Sequence, residues 1–141
     1  MRSPARHASI FPSALKYFQQ VRKPPGDWKT TDDLAPQLAE FDLRCQAQDF
    51  NAAVRVVFEF DFNHLYLWGY YRLMAELHER VQGKLTDPLA NENSIGMLGH
   101  AYYRMGQYQK AIAHFGEALE HAGSREDRYG ESVRFCNLGL C

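Results

Sequence analysis

His78 and Glu79 begin a pattern in which a second histidine, four residues after the first, would hold zinc on one helix face with the glutamate beside it as general base. Position 82 is glutamine, so the metal pair is not completed. His114 and His121 stand seven apart with Glu117 between them. On a helix, two turns separate them by about 10 Å, too far for one ion without a third element. Cys45, Cys136 and Cys141 are odd in number and widely spaced, and spell neither a disulfide framework nor a zinc ribbon. They are expected as reduced thiols, and Cys136 has no assigned histidine partner. No Gly-x-Ser-x-Gly elbow and no G-x-x-x-x-G-K-S/T phosphate loop occurs. Asp32-Asp33 and Glu126-Asp127 fit helix starts, where carboxylates meet the positive end of the dipole. The expectation is therefore a non-enzymatic chain without cofactor or metal, with a metal-dependent enzyme as a minor alternative.

The 141 residues suit one domain or part of one, and 45% apolar and 13% aromatic residues suffice for a core. Net charge is −1, which gives no long-range attraction to nucleic acid. The charge is uneven: residues 1–30 hold six Lys or Arg and one acid, and the remainder holds ten bases and sixteen acids. No apolar run reaches the roughly 18 residues of a membrane span, so neither a nucleic-acid nor a membrane partner is expected.

Residues 1–30 read as a basic tail followed by a short helix. That helix runs from Phe11 to Val21 with Pro12 near its start, and Lys23-Pro24-Pro25-Gly26 stops it. Trp28, in the linker, is expected to plug a neighbouring apolar surface. Thr30 or Thr31 with Asp32 and Asp33 starts the next helix, and Pro36 must lie in its first turn. Leu34, Leu38, Phe41 and Cys45 then share one face. Val54 to Phe60 has the residue preferences of a strand, but its neighbours on both sides read as helical hairpins, and the helical reading is kept. Residues 62–82 admit two readings: one helix through Gly69, or a turn at Trp68-Gly69. The turn is favoured.

Residues 92–123 carry the strongest pattern. Leu98, Gly99, Tyr102, Gly106, Tyr108, Ala111, Phe115 and Ala118 alternate small and large at set spacings. Gly99 and Ala111 let two antiparallel helices approach, Leu98, Tyr102 and Phe115 fill the seam, and Gly106 takes the positive φ that ends the first helix. Ala118 keeps the following helix close. The pattern resembles the tetratricopeptide repeat, a helix–turn–helix unit. Two departures are Ile95, where the pattern prefers Trp, and Gly123, where it prefers Pro.

The resemblance implies an all-α fold of antiparallel helical hairpins, stacked as a right-handed superhelix. Aligning Phe50 on Tyr108 puts Ala53 on Ala111 and Val57 on Phe115, while Glu40 and Phe41 take the places of Leu98 and Gly99. Residues 31–88 thus read as degenerate hairpins, 89–123 as a well-matched repeat and 124–141 as an incomplete next unit. Leu138-Gly139 repeats Leu98-Gly99 forty residues on, with Tyr129, Val133 and Phe135 as further apolar surface. A half-unit leaves an apolar face uncovered. The expectation is a fragment of a longer array, or self-association through residues 133–141.

The resemblance also implies a peptide-binding groove lined by Asn93, Gly96, Met97, His100, Tyr103 and Arg104. The subclass that grips a terminal carboxylate needs Lys and Asn where Gly96 and His100 stand, and only Asn137 fits it, so that mode is not expected. Residues 14–88, from Ala14-Leu15-Lys16-Tyr17-Phe18 to Leu67-Trp68-Gly69, are similar to the segment joining the core of large bacterial NB-ARC-like signalling ATPases to their repeat arrays. That implies a cytoplasmic sensor or regulatory arm that binds a protein or peptide partner.

Overall fold

Three turns of one kind close three helical hairpins. In each, an amide donates to a carbonyl five residues back: Asp49 to Arg44 at 2.8 Å, Tyr70 to Leu65 at 2.9 Å, and Gln107 to Tyr102 at 2.9 Å. The residue before each donor is left-handed, being Gln48 (φ 61°), Gly69 (φ 86°) and Gly106 (φ 78°). This closure satisfies carbonyls that the ending helix would leave bare. The chain therefore turns at Gly69 rather than running through it as one helix.

The computed structural model describes the backbone of residues 4–124 and the side chains of residues 11–123. The expected half-unit at 124–141, with Asn137, Leu138-Gly139, Cys136, Cys141 and the association surface at 133–141, lies outside the described residues. Every regular element among the described residues is helical. The chain divides between Glu59 and Phe60 into two units.

The first unit holds α1 (Pro4–Gln20), α2 (Ala35–Gln46) and α3 (Phe50–Phe58). Helix α1 begins at Pro4, well before the expected Phe11, and Pro12 lies inside it. Proline is favoured at a first helical position, and Ala5, Arg6 and Ala8 are good helix formers. Trp28 is buried and its indole N–H donates to the Lys23 carbonyl at 2.9 Å. Thr31–Leu34 forms a 3-10 turn that leads into α2. The Asp33 carboxylate fixes it, accepting from the backbone amides of Lys29 (2.9 Å) and Thr30 (3.1 Å) and from Lys23 Nζ (2.5 Å). Helix α3 covers residues 54–58 of the stretch with strand preference, with Glu59 and Phe60 in the turn beyond it, and Ala53, Val54, Val56 and Val57 are buried along it. Helical geometry wins there because it puts the β-branched side chains into the core while the Asp49 turn starts a new helix.

The second unit holds a π-helical turn at Asp61–Tyr66, α4 (Tyr71–Glu79), α5 (Pro88–Arg104) and α6 (Tyr108–Ser124). The Asp87 carboxylate caps α5, accepting from the amides of Leu89 and Ala90. Helices α5 and α6 form the third hairpin. Leu98, Ala101, Tyr102, Ala111, Phe115, Ala118 and Ala122 are buried along it. Gly99 is the point of closest approach: a methyl there would lie 2.5 Å from Phe115 Cε1. Tyr108 departs from the packing expected of it, being 58% exposed.

Two predictions follow from these contacts. Gly99→Ala forces the buried Phe115 ring off its position and lowers unfolding stability by about 1–3 kcal/mol. Adding Phe115→Leu to it recovers part of the loss, which urea denaturation of the single and double variants checks. The second concerns acid. Lys23, with the Lys29 and Thr30 amides, lowers the Asp33 carboxyl to about 2, from an ordinary 3.8. The folded pKa is the lower one, so the contribution is present above the ordinary value and is lost as pH falls through about 2. The stability gap between the native chain and Asp33→Asn should be steady from pH 5 to 7 and close in the acid range.

Candidate functional site

The turn closures set a common register, and the register shows what meets in each seam. Ten residues before Tyr108 stands Leu98, and seven after it stands Phe115. Both are buried. The same offsets from Tyr71 give Asp61 and His78, and from Phe50 they give Glu40 and Val57. All four are buried too. Polar groups thus occupy seam positions that are apolar in the third hairpin.

In the second hairpin, Asp61 Oδ2 lies 3.0 Å from His78 Nε2, and Ser94 Oγ of α5 lies 2.8 Å from His78 Nδ1. Gln82 Nε2 donates to Ser94 Oγ at 3.1 Å. One proton arrangement satisfies this chain. Gln82 donates to the serine oxygen, the serine hydroxyl donates to Nδ1, and Nε2–H donates to the carboxylate. Asp61 Oδ1 also accepts the Phe62 amide at 2.6 Å. Acid, imidazole and hydroxyl in line are the makings of nucleophilic catalysis. Here His78 and Ser94 have no exposed surface and Asp61 only 3%, so the line joins the π-helical turn, α4 and α5 to one another. His78, met in the sequence as half of a failed zinc pair, is a seam residue. The signal for this was its distance from Tyr71.

In the first unit, Glu40 takes the place of Leu98 and is neutralised from two sides. Arg22 pairs with one oxygen, and Arg44 Nε reaches the other at 2.8 Å. Arg22 also reaches Glu59 at 2.8 Å. Gln37 is buried on the same helix, where the apolar stripe had pointed to Leu38 and Cys45, both only half-buried.

The expected groove residues on α5 are divided by the fold. Asn93, Met97, His100 and Arg104 follow one face at helical spacing, with Asn93 and Arg104 exposed and Met97 and His100 half-buried. Gly96 is buried, at helical spacing from Asn93, His100 and Tyr103. Tyr103 is 53% exposed, but its ring meets Tyr108 edge-on at 5.5 Å, across the hairpin turn. His100 is surrounded by rings: Phe115 at 5.1 Å, Tyr66 at 6.0 Å and Phe62 at 6.3 Å. Phe62 stacks on Tyr66 at 5.1 Å and is 46% exposed. Arg104 lies 5.4 Å from the ring centres of both Tyr66 and Tyr71, and its Nε and Nη2 donate to Tyr71 Oη at 3.2 and 3.1 Å. Phe62, Tyr66 and Tyr71 were not among the expected site residues. They come from a stretch that reads only as a degenerate hairpin.

The tetratricopeptide repeat family model matches residues 95–124. These residues hold most of α5 and all of α6, with the Gly106 turn between them. A tetratricopeptide repeat is therefore present, and the repeat is a type of protein–protein interaction module. No curated protein and no solved structure matches the chain. Outside the repeat's own face, the histidines on α6 are accounted for locally. His114 Nδ1 contacts the Lys110 carbonyl at 2.8 Å, and His121 faces Glu117 at 3.9 Å. No group of three metal-binding side chains occurs among the described residues. No helix among them is long and apolar enough to cross a membrane.

The buried pair in the second hairpin generates a prediction. Asp61→Val leaves His78 without its acceptor and should lower stability by about 3 kcal/mol. Asp61→Val with His78→Leu gives an apolar seam of similar volume and should return to within about 1 kcal/mol of the native chain. A double-mutant cycle by chemical denaturation measures the coupling.

Proposed function

We propose that this chain is a non-enzymatic protein-interaction module that takes a partner peptide along the α5 face of Asn93, Met97, His100 and Arg104, continued by Phe62 and Tyr66. The observation that carries this is the exposed ring cluster. A Phe that is 46% exposed and stacked on a tyrosine beside a half-buried histidine is large apolar surface held in place. Such surface suits association, since rigid aromatic side chains bury much area with little loss of rotamer freedom. It belongs to the first helix of the matched repeat and to the turn before α4, with His100 also meeting the buried Phe115 ring of α6. Continuation of such hairpins as a right-handed superhelix, in the cytoplasmic arm of a larger bacterial signalling protein, is the wider form of this proposal. It is supported by the resemblance of residues 14–88.

The test selects random dodecapeptides on the full chain and maps where the selected peptides bind. Phe62→Ser and Asn93→Arg should each weaken them by about tenfold, and Glu117→Lys on α6 should leave them unchanged. The opposite pattern removes the α5 face as the site.

A further inference from the structure

Arg104 is an exposed cation whose contacts among the described residues are all aromatic. Tyr71 Oη accepts from two of its nitrogens and the Tyr66 and Tyr71 rings flank it at 5.4 Å each. No carboxylate among the described residues pairs with it. The rings stabilise the guanidinium in one place but leave its full charge uncompensated, because a ring quadrupole and a phenol oxygen carry no net charge. Of the helical stretches around it, 61–68 and α5 carry no exposed acid, whereas α4 carries the exposed Glu76 and Glu79. The helical stretch 61–68 contains one acid, Asp61, and α5 contains one, Glu92. Both are buried, and Asp61 is committed to His78. The nearby Glu79 on α4 accepts from the Tyr102 hydroxyl. The face therefore offers a fixed cation, a histidine and stacked rings, while the chain as a whole has more acids than bases.

Resting on the interaction reading above, we infer that the occupant of this face is an acidic peptide segment carrying an aromatic or large apolar side chain. A carboxylate of that segment docks on the Arg104 edge that the tyrosines leave open, and the apolar side chain packs on Phe62, Tyr66 and His100. Prior ordering of Arg104 by Tyr71 and Tyr66 reduces the side-chain entropy lost when the pair forms. The absence of exposed carboxylates on both helical stretches keeps an acidic segment from meeting like charge, and a basic segment finds no counter-charge.

The same selection of random dodecapeptides distinguishes this inference from the reading beneath it. Enriched sequences should combine Asp or Glu with Trp, Phe or Tyr. When resynthesised with amidated C-termini, they should bind Arg104→Gln about tenfold more weakly than the native chain. Their binding should also fall as salt rises from about 50 to about 300 mM. Enrichment of neutral or basic peptides that still lose affinity on Phe62→Ser would overturn the acidic inference and leave the groove intact. So would acidic peptides indifferent to Arg104→Gln. Peptides indifferent to Phe62→Ser and Asn93→Arg overturn the groove itself. Absence of any enrichment over the unselected library counts against both. Far-ultraviolet circular dichroism of Arg104→Gln, expected to match the native spectrum, keeps a loss of binding from being a loss of fold.

Discussion

Each hairpin depends on a backbone closure in which an amide reaches a carbonyl five residues back through one left-handed residue. The closure stops one helix and starts the next in a fixed phase. Phase decides which side chains face each other, because a helix repeats every 3.6 residues and a shift of one residue turns a side chain by about 100°. Once Gly106 is left-handed, Gly99 must face Phe115. The absence of a Cβ at 99 is then what leaves room for the ring beside the backbone. The fold of the third hairpin follows from these two glycines and the volume of one ring.

The other two hairpins keep the phase and change the chemistry. Asp61–His78 and Glu40 fill seam positions that are Leu98 and Phe115 in the third. Buried polar groups are tolerable when each has a partner, and here partners come in part from outside the hairpin: Ser94 on α5 for His78, and Arg22 for Glu40, which Arg44 on its own helix also pairs. An apolar seam would pack against many neighbours, whereas a histidine with a carboxylate on one nitrogen and a hydroxyl on the other accepts a narrow range of positions. The polar seam therefore sets where the π-helical turn lies relative to α5. That placement brings Phe62 and Tyr66 against His100.

Arg104 has the converse arrangement. Glu40 is a charge balanced by two opposite charges and withdrawn from water. Arg104 is ordered by neutral groups and left at the surface. Ion pairs within the chain consume charge, whereas aromatic support orients a cation and leaves its field available. The two treatments of charge separate structural side chains from those suited to a partner.

The third hairpin was legible in the sequence, since its small and large residues recur at spacings that only a close helix pair explains. The helical nature of Val54 to Phe58 and the turn at Gly69 were also within reach, through the hairpins on either side and through the one residue type that enters the left-handed region without strain. Tyr108 was misread, because a motif position fixes spacing along the chain and not exposure. The seam polarity of Asp61, His78 and Glu40 was hidden for a different reason. A polar residue is read as exposed unless its partner is known, and the partners lie up to 18 residues away. The site was half visible. The sequence by itself determined the helices and the turns, because these depend on local spacing, while the α5 line from Asn93 to Arg104 was what the resemblance implied. Tertiary structure alone decided that Phe62, Tyr66 and Tyr71 join that line, because ring contacts between separate helices depend on the packing that brings their faces together.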